Sequence, residues 1–201
     1  MAKKAVLAII IILILSVFAL YFISDETVNL YLTGESVSVK THTLNPNIDS
    51  ESMDNEICEY ALHAMNDTSS NITTLKNGIN DICSRYGLEN PKISVDSSIG
   101  KDQIPVVVYV KGTSMLPTLQ DGQKALLNKT KNVHVGDIVV AQSDEYGGII
   151  KRVGDIEGDS IYLESDNKDV SREYKNGVLY ETKGITTWVD ISDINGVVIK
   201  Y

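Results

Sequence analysis

The chain is poor in the side chains that build metal centres and disulfide scaffolds. It has two cysteines, Cys58 and Cys83, and three histidines, His42, His63 and His134. Two cysteines allow one bridge at most, which excludes a small fold stapled by several disulfides. No histidine stands at ligand spacing from a cysteine, so neither a metal site nor a cofactor is expected. Each histidine reads as a surface or half-buried residue. Positive charge is scarce too: 18 Lys and Arg face 27 Asp and Glu, a net charge of −9. Because the chain opens with lysines, the remainder is more acidic still. That argues against nucleic acid or anionic lipid as the main partner of the folded part. There is no internal repeat and no low-complexity tract, and after residue 23 no second apolar run nears the roughly 18 residues of a membrane span.

One such run is present at the start. Ala5–Ile23 carries no charge. At about 1.5 Å per residue it would cross a hydrocarbon core as a helix. Lys3 and Lys4 precede it, and Asp25 and Glu26 follow. The positive flank places the N-terminus in the cytosol and the rest of the chain outside, in a single pass at the cell membrane. The rival is a cleaved signal peptide ending near Val17-Phe18-Ala19. The apolar run continues past that point through Leu20, Tyr21, Phe22 and Ile23, which favours an uncleaved anchor in contact with lipid.

A small α+β insert is expected next. Val28, Leu30 and Leu32, then Val37 and Val39, alternate around a Thr33-Gly34 turn and predict two strands. Met53, Ile57, Tyr60, Ala61 and Ala64 recur at helical spacing, as do Ile72, Leu75, Ile79, Ile82 and Tyr86. They predict helices over 51–65 and 72–86, with Ser50 and Asn71 as N-caps and Gly87 as a stop. The short Asp67–Ser70 connection makes the pair an antiparallel hairpin. A further strand starts at Ile93 and Val95. Folding the hairpin about residues 69–70 brings Cys58 within one residue of register with Cys83, so a disulfide between them is expected outside the cytosol. Asn66-Asp-Thr68, Asn71-Ile-Thr73 and Asn128-Lys-Thr130 match the glycosylation sequon, which matters only in a host that glycosylates outside the membrane.

Two segments carry the chemistry. Val110-Lys-Gly112-Thr113-Ser114-Met-Leu-Pro117-Thr-Leu119 sets a serine in a small-residue turn. Ile149-Ile-Lys151-Arg152-Val153 sets a lysine on an apolar strand. Serine attacks a carbonyl only when a base takes its proton, and lysine is that base only when its pKa is pulled far down. Strand periodicity puts Ile149, Lys151 and Val153 on one face. Desolvation between two β-branched neighbours would favour the neutral amine. Gly112 lets a bound chain come close, and Pro117 stiffens the turn. The Ser114 N–H, with Gly112 and Thr113 beside it, is the candidate oxyanion and substrate-approach element. The plain alternatives are a lysine that snorkels to water and an ordinary Gly-Thr-Ser loop.

VKGTSMLPTL resembles the serine box of type I signal peptidases, in the Gram-positive form with Gly two residues before Ser. Gly136-Asp-Ile-Val-Val140 is similar to the family's GDIVV box. Lys151-Arg152-Val153 followed by Gly158-Asp159 is similar to KRVxGxxGD, with Asp155 and Glu157 in place of Gly and Pro. Ser165-Asp166-Asn167-Lys168 resembles the GDNR start of the last box, with Ser for Gly, and Ser171, Glu173 and Lys175 fall where that box carries Ser, Asp and Arg. The resemblance covers about residues 106–201. It implies Ser114 as nucleophile and Lys151 as base, Ser171 orienting the lysine, and Glu173, Arg152 and Asp166 supporting the site. The self-cleaving repressors of the LexA type share the Ser-Lys dyad but carry a DNA-binding element in place of an anchor. In signal peptidases the serine box closely follows the anchor, whereas here about ninety residues intervene.

From residue 106 onward, short β-rich runs predict a mainly β domain: Val106–Val110, Lys124–Leu127, Ile138–Gln142, Ile149–Val153, Ser160–Glu164, Val178–Tyr180 and Val197–Tyr201. The expected architecture is a mainly β, signal-peptidase/LexA-like catalytic domain over 101–201. A transmembrane anchor over 1–24 and the α+β insert over 25–100 precede it. The implied activity is a serine endopeptidase that cuts exported preproteins outside the membrane. A specialised processing protease for surface or pilus-like proteins, with the hairpin selecting substrates, is a variant of that reading. The alternative from another class is a catalytically silent tethered module whose hairpin binds a protein partner. Trp188 and Val189 border the substrate groove or touch lipid on one reading, and Trp188 is an ordinary core aromatic on the other.

Overall fold

The computed structural model describes residues 26–175, 178–182 and 184–201, with side chains described outside 171–183. The anchor expected over residues 1–24 lies outside the described residues. Among the described residues no helix is long and apolar enough to cross a membrane.

The first layer is a three-stranded sheet under two helices. Strands β1 (Thr27–Leu32), β2 (Val37–His42) and β3 (Lys92–Ser97) lie in the order β2-β1-β3, with helices α1 (Ser50–Asn66) and α2 (Ile72–Arg85) between β2 and β3. β1 runs antiparallel to β2 and parallel to β3. The parallel pair exists because the helical hairpin carries the chain back across the sheet before β3 begins. Alternation puts Val28, Leu30 and Leu32 on one face, where they share a core with Met53, Ile57, Ala61 and Ala64 of α1 and Leu75, Ile79 and Ile82 of α2. Asn71 caps α2 as expected, and the Thr74 hydroxyl completes a capping box. Helix α1 is capped by Asp49 rather than Ser50: its carboxylate accepts the Ser52 N–H. Both residues suit the position, and chain direction into the first turn chooses between them.

The hairpin forms, but Cys58 and Cys83 are both free thiols. The thiol of Cys58 turns onto the sheet and donates to the Val37 carbonyl at 3.4 Å. Cys83 points into the apolar core, and that burial pushes its thiol pKa up to about 11. A helix rotates about 100° per residue, so near-register along the axis does not place two side chains on facing lines.

The second layer is a seven-stranded antiparallel sheet in the order β11-β8-β7-β6-β12-β5-β4. Its strands are β4 (Pro105–Tyr109), β5 (Lys124–Asn128), β6 (Ile138–Ser143), β7 (Gly147–Glu157), β8 (Ser160–Glu164), β11 (Thr186–Asp190) and β12 (Ile194–Lys200). A separate ribbon pairs β9 (Ser171–Lys175) with β10 (Val178–Thr182). Strands β9 and β11 have no counterpart among the runs expected from sequence. β11 is an edge strand that buries only Val189, and so little burial leaves little apolar periodicity to read. Trp188 on it is 47% exposed and packs against the Tyr162 ring, 5.2 Å between centroids, so it is not a core aromatic.

The two layers are fastened along β4 and β5. Gly34, at φ +92°, lets the β1–β2 turn press against Leu126, Val107 and Pro105. Lys124 pairs with Glu35 at 2.6 Å. Lys129 crosses from the end of β5 and donates to the carbonyls of Ala64, at 2.9 Å, and Asp67 at the C-terminus of α1. Cations are favoured at that end of a helix.

Candidate active site

The serine sits on the loop between β4 and β5. Two backbone hydrogen bonds of 2.9 Å close its base, Val110 N–H to the Gln123 carbonyl and Gly122 N–H to the Val110 carbonyl. Met115 and Leu119 anchor the loop in a small apolar cluster with Val110, Ala125 and Ile138. Gly112 adopts φ +91°, a region that disfavours residues with a Cβ, and its N–H donates to Asp121 Oδ1 at 2.7 Å. Asn167 latches the loop from the other side: its N–H donates to the Ser114 carbonyl at 2.9 Å and its Nδ2 to the Thr113 carbonyl at 3.0 Å. Among the described residues, the Ser114 N–H donates to no protein acceptor.

The lysine comes from β7. Ile149, Lys151 and Val153 share the buried face as strand alternation requires, and Lys151 is only 3% exposed. Its Nζ lies 2.8 Å from Ser114 Oγ and 3.0 Å from the Ile150 carbonyl. Among the described residues no carboxylate pairs with it. Burial pulls the amine below the ordinary lysine range. A lysine snorkelling to water is not what the structure shows.

Arg152 points to the opposite face and grips Asp166 with both ends of its fork, Nε to Oδ1 at 2.7 Å and Nη2 to Oδ2 at 2.6 Å. Its Nη1 donates to the Gly136 carbonyl at 2.7 Å. Thr118 Oγ1 donates to Asp166 Oδ2 at 2.5 Å. The Arg152 hydrogen bonds hold the Asp166 carboxyl below the usual carboxylate range. This one carboxylate therefore ties the serine loop, through Thr118, to the lysine strand, through Arg152. Ser171 and Glu173 belong to β9, and their side chains lie outside the described residues.

Between the two elements lies a cleft of about 610 Å³. Its floor and walls include Val108, Gly112, Ser114, Ile150, Lys151 and Ile185. Sequence reasoning placed the two central residues but gave no role to Thr118, Asp121 or Asn167. Asn167 lay inside a motif with no signal for what its amide touches. Asp121 lies nine residues beyond Gly112 and becomes its partner only when the loop closes. Gly184 was also missed: a Cβ there would stand 2.7 Å from the Asn167 carbonyl oxygen, so close approach of the two strands' ends requires glycine.

A mainly β sheet presenting a serine beside a buried lysine defines a class of peptidase-like folds, and comparison with known proteins places the chain within it. The model of the peptidase S24-like family matches residues 85–185, and the chain belongs to that family. It is similar to Signal peptidase IB of Staphylococcus aureus (strain Mu50), 35% identical over 75 residues, which are 35% of this chain and 34% of that protein. It is also similar to Signal peptidase I U of Bacillus subtilis (strain 168), 34% identical over 89 residues, 38% of this chain and 48% of that protein. The matched region thus spans between a third and a half of the length of these curated relatives. No solved structure matches the chain. The mainly β layer fits the family's fold. The resemblance to signal peptidases read from the serine and lysine boxes holds.

Proposed function

We propose that the protein is a signal-peptidase-like serine endopeptidase, with Ser114 as nucleophile and Lys151 as its base. The observation that carries this reading is the 2.8 Å approach of a buried lysine amine to the serine hydroxyl. In the neutral form, Lys151 Nζ accepts the Ser114 proton as Oγ attacks the scissile carbonyl. The resulting oxyanion meets the Ser114 N–H. Collapse of the intermediate breaks the peptide bond, and the proton held on Lys151 passes to the leaving amine. Water then releases the acyl group by the same route in reverse.

Strand register supports a polypeptide substrate. The first half of β7, Gly147–Lys151, pairs with β6, and β7 pairs with β8 only from Arg152 onward. β4 is the last strand of its sheet. Among the described residues the cleft therefore runs between two free backbone edges, where an extended chain can add hydrogen bonds. The substrates we infer are exported preproteins, cut outside the membrane by a domain over 101–201 held by an anchor over 1–24, with the α+β unit over 25–100 between them. The intact serine and lysine favour this over a silent tethered module.

The test is purified protein incubated with a peptide spanning a signal-peptide cleavage site. Ser114→Ala and Lys151→Arg should each lose all measurable cleavage while keeping the wild-type circular dichroism. Arginine stays protonated and accepts no proton. Undiminished cleavage by either variant would remove the dyad.

A further inference from the structure

The cleft does not end at the serine loop. A second apolar groove of about 190 Å³ shares Val108 and Val140 with it and continues along β4 to the hairpin tip. Its walls are Val106 and Val107 on one side and Met65, Asn66 and Thr68 on the other. The three consecutive valines of β4 are only half-buried. The opposite wall is held firmly. Lys129, itself among the groove's lining residues, clamps the α1 carbonyls beside Met65, and burial lowers its pKa. The groove is thus a junction of the α+β layer with the β4 edge, and neither layer makes it alone.

We propose that this groove is a remote substrate subsite, in which the hairpin tip selects an apolar side chain of the polypeptide being cut. The inference rests on the peptidase reading and deepens it. The occupant is the substrate because the groove shares Val108 and Val140 with the cleft beside Ser114 and lies along the same strand. Val106 precedes Val110, at the base of the serine loop, by four strand positions, about 13 Å at roughly 3.3 Å per residue. An extended substrate laid along β4 therefore brings a residue roughly four positions from the scissile bond into the groove. The lining suits a leucine- or methionine-sized group: valines and Leu127 form an apolar floor, and Met65 is an adaptable wall. Asn66 and Thr68 of the hairpin tip line it, so on this proposal the tip is a specificity element, not a linker.

The test uses the full-length protein in detergent and a positional-scanning library of synthetic extended peptides, read by mass spectrometry of the products. Truncated peptides that stop short of the groove serve as controls. Asn66→Trp and Thr68→Trp each add bulk at an exposed position on the rim, so neither disturbs the core. Wild type should prefer an apolar over a charged residue at the remote position. Both variants should raise KM for the long apolar peptides roughly tenfold, the usual worth of one apolar pocket, with kcat unchanged. Truncated peptides should be cut equally by all three proteins. Equal cutting of long peptides, whatever occupies the remote position and whichever protein is used, would overturn the subsite and leave the peptidase intact. If the wild type cuts neither long nor short peptides, the peptidase reading fails and the subsite falls with it. Binding of a separate protein to the hairpin tip with no change in peptide preference would assign the groove to a partner and overturn the proposal.

Discussion

At the scale of the single residue, Lys151 sets chemistry against stability. A lysine 3% exposed with no carboxylate beside it among the described residues is unfavourable to the fold in its protonated state. The same burial makes the amine a usable base. With the folded-state pKa lowered, the unfolded chain binds more protons at this position. Stability should therefore rise with pH between the lowered value and the free-lysine value of about 10.4. Lys151→Met should be inactive yet more stable than wild type by about 1–2 kcal/mol near neutrality, and the part of the pH slope due to this lysine should vanish. Cleavage by the wild type should climb as pH rises through the lowered folded-state value and level off above it, since the neutral amine is the working form. Thermal melts of both proteins across a pH series, with a pH–rate profile of the wild type, check this. A methionine variant that melts lower at every pH would make Lys151 a structural residue.

At the scale of the element, α1 and α2 were readable because each shows a helical apolar stripe and a boundary signal. How their side faces turn was not. Cys58 addresses the Val37 carbonyl on β2 and Cys83 the core, although both stand near the same level of the hairpin. Thiol titration in denaturant, without reductant, should find two free thiols per chain. In native buffer Cys83 should resist alkylation, both because it is covered and because its pKa of about 11 leaves little thiolate. No thiols under denaturing, non-reducing conditions would establish the bridge and reverse the finding. Strand β7 shows the same division. Its alternation was plain, while the change of partner at Arg152, from β6 alone to β8 as well, follows from the sheet's register.

At the scale of the whole molecule, the proposed activity requires Ser114 on the side of the membrane where preproteins emerge. The proposed anchor, with its Lys3-Lys4 flank on the cytosolic side, would place it there. The turn after β6 is the site to probe: Ser143 is 4% exposed, but Glu145 is open to solvent. Glu145→Cys should react with a membrane-impermeant maleimide in intact cells. A tag fused before Lys3 should be protected from added protease until the membrane is opened. Labelling at residue 145 only after permeabilisation would put the domain in the cytosol and defeat the processing role.

The sequence by itself determined the local facts. Ile149, Lys151 and Val153 share a face because strands alternate, and the two helices carry their stripes because α-helices repeat every 3.6 residues. Those periodicities are properties of the backbone and survive without tertiary context. The pairing of Ser114 with Lys151 was suggested by their neighbours, and the resemblance of ordered boxes set it above the plain alternatives. Only the tertiary structure decided the rest: Asp166 joining Thr118 to Arg152, Asn167 holding the serine loop, and Lys129 pinning the hairpin beside β4. Each of these contacts joins residues of different loops and strands, and Lys129 reaches back more than sixty positions to α1. Their geometry is set by how a curled sheet closes and how a second layer docks on its edge, and no local pattern of residues encodes it.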